Sequence, residues 1–452
     1  MNWRSRGRGW TLAAAIASLS VLAACGNASS GGGTGTTQTL TGACAKYQAY
    51  AGHSGTTVTM FASIVSPESD SLQKSWADFS NCTGIKISYE GSNDFESQLP
   101  VRVTGGNAPD FAIIPQPGLL QQMVKTGKVA KPPQQTVSNE SKWSSVWKGY
   151  GTVKGTFYAA PMSANMKSLV WYSPKAFAQA GYKVPTTWAD MMSLSGTIAN
   201  AGNGKPWCGG IGSGTATGWP ATDWLEEVVL GKYGGDVYDK WVSHEIKFSS
   251  PQIMDSMQTV ANWMLNPAWV NGGFGDVKSI ATTTFQSAGT PILTGKCWML
   301  QQASFYEAQW PQGTKVGPDG DVNAFYLPSV STSVPTRVEG GGEFVTAFSS
   351  RPEVQAVQNY LSTSDWATSR IKVAPGWVSA NEGVDKGVYT DPIDQLSAKY
   401  LTDQKATFRF DASDLMPAAV GAGQEWTSMT AWFAQGQSIA QVAKDIDAAW
   451  PS

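Results

Sequence analysis

The chain has 452 residues, a formal net charge of −2 and only 15 % charged residues, beside 20 Trp and 48 Gly. That balance offers no basic surface to nucleic acid or an anionic membrane, and two histidines, His53 and His244, leave little for a His-based triad or a metal site. Low charge with abundant tryptophan fits carbohydrate binding, and equally any tightly packed exported protein. Roughly 410 residues follow the N-terminal segment, more than one core normally serves, so two lobes are expected.

Arg4, Arg6 and Arg8 open the chain, and Thr11 to Ala24 is a small and apolar run ending in Leu22-Ala23-Ala24-Cys25. Residues 1–24 thus read as a secretory signal, too short to span a bilayer. The final tetrad resembles the bacterial lipobox, which implies cleavage before Cys25 and a lipid on its sulfur; the alternative is a signal cut elsewhere. Such cleavage removes three Arg and no acid, so 32 basic residues become 29 against 34 acidic ones, a net of −5. Residues 25–43 are rich in Gly, Ser and Thr and read as a flexible tether. No later run reaches the ~18 apolar residues of a transmembrane helix. Cys44, Cys82, Cys208 and Cys297 remain, and an even count in an exported chain reads as two disulfides with three possible pairings. The preferred pairing is Cys44–Cys82, pinning the N-terminal segment, with Cys208–Cys297 tying a glycine-rich stretch to a later strand. Free buried thiols are the alternative.

Thr57–Ala62 alternates like a strand, Ser66–Asp70 is a polar loop, Leu72, Trp76 and Phe79 mark a helix face, and Ile85–Tyr89 is a second strand. The order continues through Phe95–Thr104 and Asp110–Pro115, which predicts an α/β unit with a largely parallel sheet. The stretch Trp207–Leu230 (WCGGIGSGTATGWPATDWLEEVVL) runs from glycines through Gly218-Trp219-Pro220 into a helix with a core face at Leu225, Val228 and Val229. Trp219, Asp223 and Trp224 therefore stand at a loop–helix junction. There, indole faces can pack on a pyranose and a carboxylate can accept from its hydroxyls. The bland alternative makes both Trp core packing and Asp223 a cap. Val354–Leu361 and Met429–Trp450 predict amphipathic helices.

GGNAPDFAIIPQPGLL (Gly105–Leu120), GYGTVKGTFYAAPMSANMKSLVWYSPKAF (Gly149–Phe177), GWPATDWLEE (Gly218–Glu227), QQASF (Gln301–Phe305), GGGEF (Gly340–Phe344), GWVSAN (Gly376–Asn381) and FRFDASDLMPAAVGAG (Phe408–Gly423) carry a resemblance in their order and spacing. The chain is similar to extracellular solute-binding proteins (family 1) of ABC sugar importers, in particular the α-glucoside-binding lipoproteins. STSVPTRVEG (Ser331–Gly340) departs from the pattern. The resemblance implies an α/β, two-lobed periplasmic-binding-protein-like fold with three interlobe crossings, near Met162–Asn165, Val338–Gly342 and Pro375–Ser379. The first lobe would be 44–162 and 343–375, the second 163–338 and 379–452. It further implies a monomeric, lipid-anchored, extracytoplasmic receptor without cofactor or metal, capturing an α-glucoside or related oligosaccharide for delivery to the ABC permease subunits.

By that resemblance the binding residues are dispersed. Asp94, Gln116 and Asn165 occupy strand ends, loops and the first crossing, where α/β sheets bind ligands; Lys167 reads as a surface lysine. Phe305 and Tyr306 take the place of a stacking aromatic, Glu343 follows a triple glycine, and Trp377 lies at the third crossing between Gly376 and Ser379. Arg409, Asp411 and Asp414 form a spaced polar set for the cleft floor, with an Arg409–Asp411 ion pair as the structural alternative. Catalytic motifs are poorly represented: Ile211 stands where a nucleophile elbow needs Gly, and no phosphate loop follows a strand. A glycoside hydrolase, which needs only two carboxylates, and a surface adhesin or lectin remain the alternatives.

Overall fold

Alternating residues build the first strand, Thr57–Ala62, which pairs in parallel with Lys86–Gly91 and with Phe111–Ile114. The protein is described here by a computed structural model of residues 38–451, apart from Pro335 and the side chain of Glu140; the segment read as a secretory signal and Cys25 lie outside the described residues. Two further strands complete a five-stranded sheet, Phe344–Ala347 antiparallel to Phe111–Ile114, and Ala159–Pro161 antiparallel to Phe344–Ala347 in turn. Val58, Met60, Phe111, Ile113 and Val345 enter one apolar cluster, whereas Phe61, Ala112, Ile114 and Phe344 enter another. The sheet is therefore buried on both faces, which requires helices on each side. The helix face at Leu72, Trp76 and Phe79 belongs to two helices, Glu68–Ser75 and Ala77–Thr83, because Trp76 leaves helical geometry (φ −111°, ψ 7°). All three side chains still meet in one cluster.

The second lobe repeats the design. Lys205–Cys208 lies parallel between Val270–Asn271 and Cys297–Gln301, and Leu169–Tyr172 runs antiparallel between Cys297–Gln301 and Asn323–Tyr326. Val170, Trp207 and Met299 face one cluster, and Leu169, Trp171, Cys208 and Leu300 the other. The cysteines pair as Cys44–Cys82 and Cys208–Cys297. The second bridge joins neighbouring parallel strands, and the first ties the segment Gly42–Tyr50 to the helix Ala77–Thr83. Within the stretch read as tether, Gln38 and Leu40 are already hydrogen-bonded to Gln48.

A three-stranded sheet sits between the lobes: Arg337–Gly341 in the centre, parallel to Thr407–Phe410 and antiparallel to Asn165–Met166. Each strand belongs to one passage of the chain. The first runs from Ala159–Pro161 through Asn165–Met166 to Leu169–Tyr172, and the second from Asn323–Tyr326 through Arg337–Gly341 to Phe344–Ala347. The third is longer than the sequence suggests. Val378 bridges to Ala164, Asn381 and Glu382 still bond to Ser362 and Lys142 of the first lobe, and the helix Pro392–Leu401 intervenes before Thr407–Phe410. Two helices, Trp426–Gln435 and Ile439–Ala448, then end the chain on the second-lobe core, parted at Gly436. No helix among the described residues is long and apolar enough to cross a membrane.

Candidate functional site

In the first lobe the site forms where strands end. Phe111–Ile114 stops at Pro115-Gln116, and Pro117 starts the next helix with φ already suited to it. Gln116 is thus held at the carboxyl edge of the sheet. Its Nε2 donates to Glu96 Oε1 at 3.1 Å, and its own Oε1 is buried without a partner. Glu68, Asn93 and Glu96 stand beside it on the loops and helix starts that follow the neighbouring strands.

In the second lobe the glycines of the Trp207–Leu230 stretch do steric work. Gly218 has φ +113°, and a Cβ there would lie 2.2 Å from the Trp426 carbonyl oxygen, so only glycine permits this entry into the helix Trp219–Tyr233. Trp219 is thereby turned into the cleft. Its ring lies 5.0 Å from Phe285 and 6.1 Å from Phe305, making an aromatic wall from three separate segments. The walls enclose a cavity of about 140 Å³ between the lobes, floored by Asn165, Lys167, Glu343, Asp411 and Asp414 of the crossing segments. A cavity of roughly 150 Å³ holds one benzene ring, so this space fits about one six-membered ring.

The floor is built on a buried ion network. Lys167 is 4 % exposed; its Nζ donates to Asp223 Oδ1 at 2.7 Å and to Asp411 Oδ2, and it lies 5.3 Å from the Trp219 ring centroid. Burial opposes its charge, but Asp223, Asp411, Asp414 and Glu339 override this and hold its pKa well above the ordinary value. Burial likewise opposes ionisation of Asp411, and the Lys167 ammonium with hydrogen bonds from Asp414 N–H and the Ser413 hydroxyl keeps that carboxylate ionised. Asp223 goes the other way: burial pushes it up to about 8, with Lys167 only partly restraining it. Asp223, Glu226 and Asp411 converge closely enough for a metal ion, but the ammonium of Lys167 already supplies positive charge there. On the first-lobe side, burial raises Glu343 to about 8, reinforced by Glu68, and raises Glu68 to about 7 against the pull of Arg370. The result is a chamber whose carboxyl and amide groups can both donate and accept hydrogen bonds, beside one apolar wall. Such a set can take several hydroxyls and the CH face of a ring.

Gln116, Asn165, Trp219, Phe305, Glu343 and Asp411 line this cavity, and Asp223 stands one layer behind through Lys167. Asp94 is at the rim, beside the lining residues Asn93 and Glu96 and facing Gly214 across the cleft. Four expected residues are elsewhere. Trp224 is 1 % exposed and packs on Phe433 in the second-lobe core, on the helix face opposite the cleft. Tyr306 is fully buried, accepting from Gly289 N–H and donating to the Gln286 carbonyl. Trp377 packs edge-on against Trp366 under the first lobe. Arg409 forms a bidentate pair with Asp239 on the surface rather than with Asp411, because Asp411 lies past the strand end, where it caps the short helix Ala412–Leu415 and meets Lys167. Lys167, read as a surface lysine, is instead the centre of the floor. Glu68, Phe285, Gln286 and Trp426 also line the cavity and are not singled out by the sequence, where Glu68 stands in a polar loop.

The sequence profile described as "Bacterial extracellular solute-binding protein" matches residues 65–369. The chain is 34 % identical over 411 residues to the α-glucosides-binding periplasmic protein AglE of Rhizobium meliloti, covering 88 % of each. It is 32 % identical over 403 residues to the osmoprotective compounds-binding protein GgtB of Synechocystis sp., covering 87 % of this chain and 92 % of that one. Among solved structures, the bacterial solute receptor AcbH superposes with a TM-score of 0.73 at 16 % identity, over 87 % of this chain and 97 % of that one, a likeness of fold. With two α/β lobes, three crossings and an interlobe cavity, this chain belongs to the bacterial extracellular solute-binding proteins.

Proposed function

We propose that the protein is the sugar receptor of an ABC importer, binding an α-glucoside or related oligosaccharide in the interlobe cavity and handing it to the membrane permease. The observation that carries this reading is the aromatic wall of Trp219, Phe285 and Phe305 facing the carboxylates and amides of Glu343, Glu68, Gln116 and Asn165 across a space for one ring. One glucosyl unit occupies that space and the remainder of the ligand extends toward the cleft mouth. The name of the Rhizobium meliloti relative supports an α-glucoside, and that of the Synechocystis relative an osmoprotective compound. Binding proceeds without turnover, so the protein is not an enzyme. The receptor is monomeric and held to the cell membrane by lipid on Cys25, outside the described residues.

Calorimetry with maltose, sucrose and trehalose tests the reading. Saturable one-to-one binding to at least one, with the sugar recovered intact, supports it; free glucose accumulating with time would assign a hydrolase instead. Cys25→Ala is expected to move the protein from the membrane fraction to the soluble one, and unchanged partitioning would remove the anchor from the account.

A further inference from the structure

Away from the cavity, three acids from two separated segments meet where the third crossing leaves the first lobe. Glu307 belongs to the 3₁₀ turn Ser304–Gln309, two residues beyond Phe305 of the aromatic wall, while Asp391 and Asp394 open the helix Pro392–Leu401. One carboxylate oxygen of each lies within 4.8 Å of the other two. Asp391 Oδ1 accepts from the N–H groups of Ile393 (2.7 Å) and Asp394 (3.2 Å), and Asp394 Oδ1 from Gly376 N–H (3.1 Å). Gly376, with φ +81°, passes so near that a Cβ on it would lie 3.1 Å from Glu307 Cβ.

Glu307 itself is left unsatisfied. It is 7 % exposed, its Oε2 is sealed from solvent without a hydrogen-bond partner, and its carboxyl lies within hydrogen-bonding range of Asp391. Two carboxylates that close cannot both carry charge unless something positive stands between them. Among the described residues, none of the three acids forms an ion pair with a basic side chain. Arg370, the nearby cation, instead gives an N–H to the Ala374 carbonyl and lies over the Trp377 ring. A cavity lined by Asp385, Asp391 and Asp394 leads to this cluster from solvent.

We infer that Glu307, Asp391 and Asp394 form a divalent-cation site whose geometry suits Ca²⁺. The donors are hard carboxylate oxygens, and Ca²⁺ holds oxygen ligands at about 2.3–2.6 Å in flexible arrangements. Oxygens within 4.8 Å of one another therefore reach a single ion, and water from the adjoining cavity completes its six to eight ligands. Mg²⁺ needs stricter octahedral geometry and keeps its water, and Zn²⁺ favours nitrogen and sulfur ligands absent here. The ion ties the second-lobe turn that carries Phe305 to the third crossing. Burial, with Asp391 and Asp394 adding to it, raises the Glu307 pKa to about 10, so a proton is the competing occupant.

Tb³⁺ luminescence on the full-length mature protein separates the two. Trp310, whose backbone N–H bonds to the Glu307 backbone carbonyl, is the local donor to a bound lanthanide. Expected are saturable emission through tryptophan excitation, displacement by excess CaCl₂, and at least tenfold weaker Tb³⁺ binding in Glu307→Gln and Asp394→Asn. The wild-type melting temperature is expected to rise in CaCl₂ relative to EDTA, a readout that needs no variant. Absence of both saturable emission and that shift assigns the cluster to a proton and overturns the proposal. Emission undiminished in Glu307→Gln overturns it as well, since the ion would then sit elsewhere.

Discussion

Two tryptophans five positions apart in one helix have opposite duties, because helical geometry sends such positions to opposite faces. Trp219 faces Phe285 and Phe305 on the cavity wall; Trp224 faces Phe433 in the core. Trp219→Ala is therefore expected to weaken sugar binding about tenfold or more with little change in stability, stacking being worth on the order of 1 kcal/mol beyond area burial. Trp224→Ala should instead cost about 3–5 kcal/mol of stability in urea unfolding. Lys167 also tests the buried floor. Lys167→Met strands Asp223 and Asp411 without their partner, and an expected loss of about 3–5 kcal/mol distinguishes it from a surface lysine. The pH dependence follows from Glu343, raised from 4.5 to about 8 by burial and by Glu68. Its protonated form favours the fold, so that contribution is complete below about pH 4.5 and is lost as pH rises through about 8. Between pH 5 and 9 the wild-type urea midpoint should fall more steeply than that of Glu343→Gln; parallel curves would deny the shift.

At the scale of elements, the decisive contacts are backbone against backbone. The helix Pro117–Lys125, which begins one residue after Gln116, approaches the loop after Asp411 so closely that a Cβ on Gly118 would stand 1.9 Å from the Met416 carbonyl oxygen and 3.2 Å from that of Asp414. Gly118→Ala must push these elements apart and shift Gln116 relative to Asp411 and Asp414. Sugar affinity measured by calorimetry should drop at least tenfold, about 1.4 kcal/mol; unchanged affinity would mean the approach does not shape the site. Local sequence pattern placed the strand Thr57–Ala62 and the element Phe95–Thr104 correctly. It missed the break at Trp76 and the helix within the third crossing, which follow from packing rather than pattern.

For the whole molecule, the cavity draws groups from both lobes and from all three crossings. Gln116 and Glu68 lie on one side, Trp219, Phe285 and Phe305 on the other, and the Asn93 carbonyl accepts from the Thr215 hydroxyl across the mouth at 3.5 Å. A ligand touching both walls has higher affinity for the closed arrangement, which is what shifts an open–closed equilibrium. Small-angle scattering is expected to show a smaller radius of gyration on saturation with sugar. No change, with calorimetry confirming occupancy, would replace closure by a rigid site.

The sequence by itself determined the two-lobed α/β plan and the family, because these rest on chain length, periodicity and the order of many short motifs along the chain. The pairing of Cys208 with Cys297 follows once their strands are neighbours in a sheet. Which polar and aromatic residues line the interlobe cavity was decided only by tertiary structure. Lys167, Arg409, Trp224 and Trp377 carry local patterns no different from their neighbours, and one rotation about a helix or one step along a strand exchanges cleft for core. The buried ion network shows the same limit: Lys167 and Asp411 are 244 positions apart in the chain, and only the crossing of three strands between the lobes makes them partners.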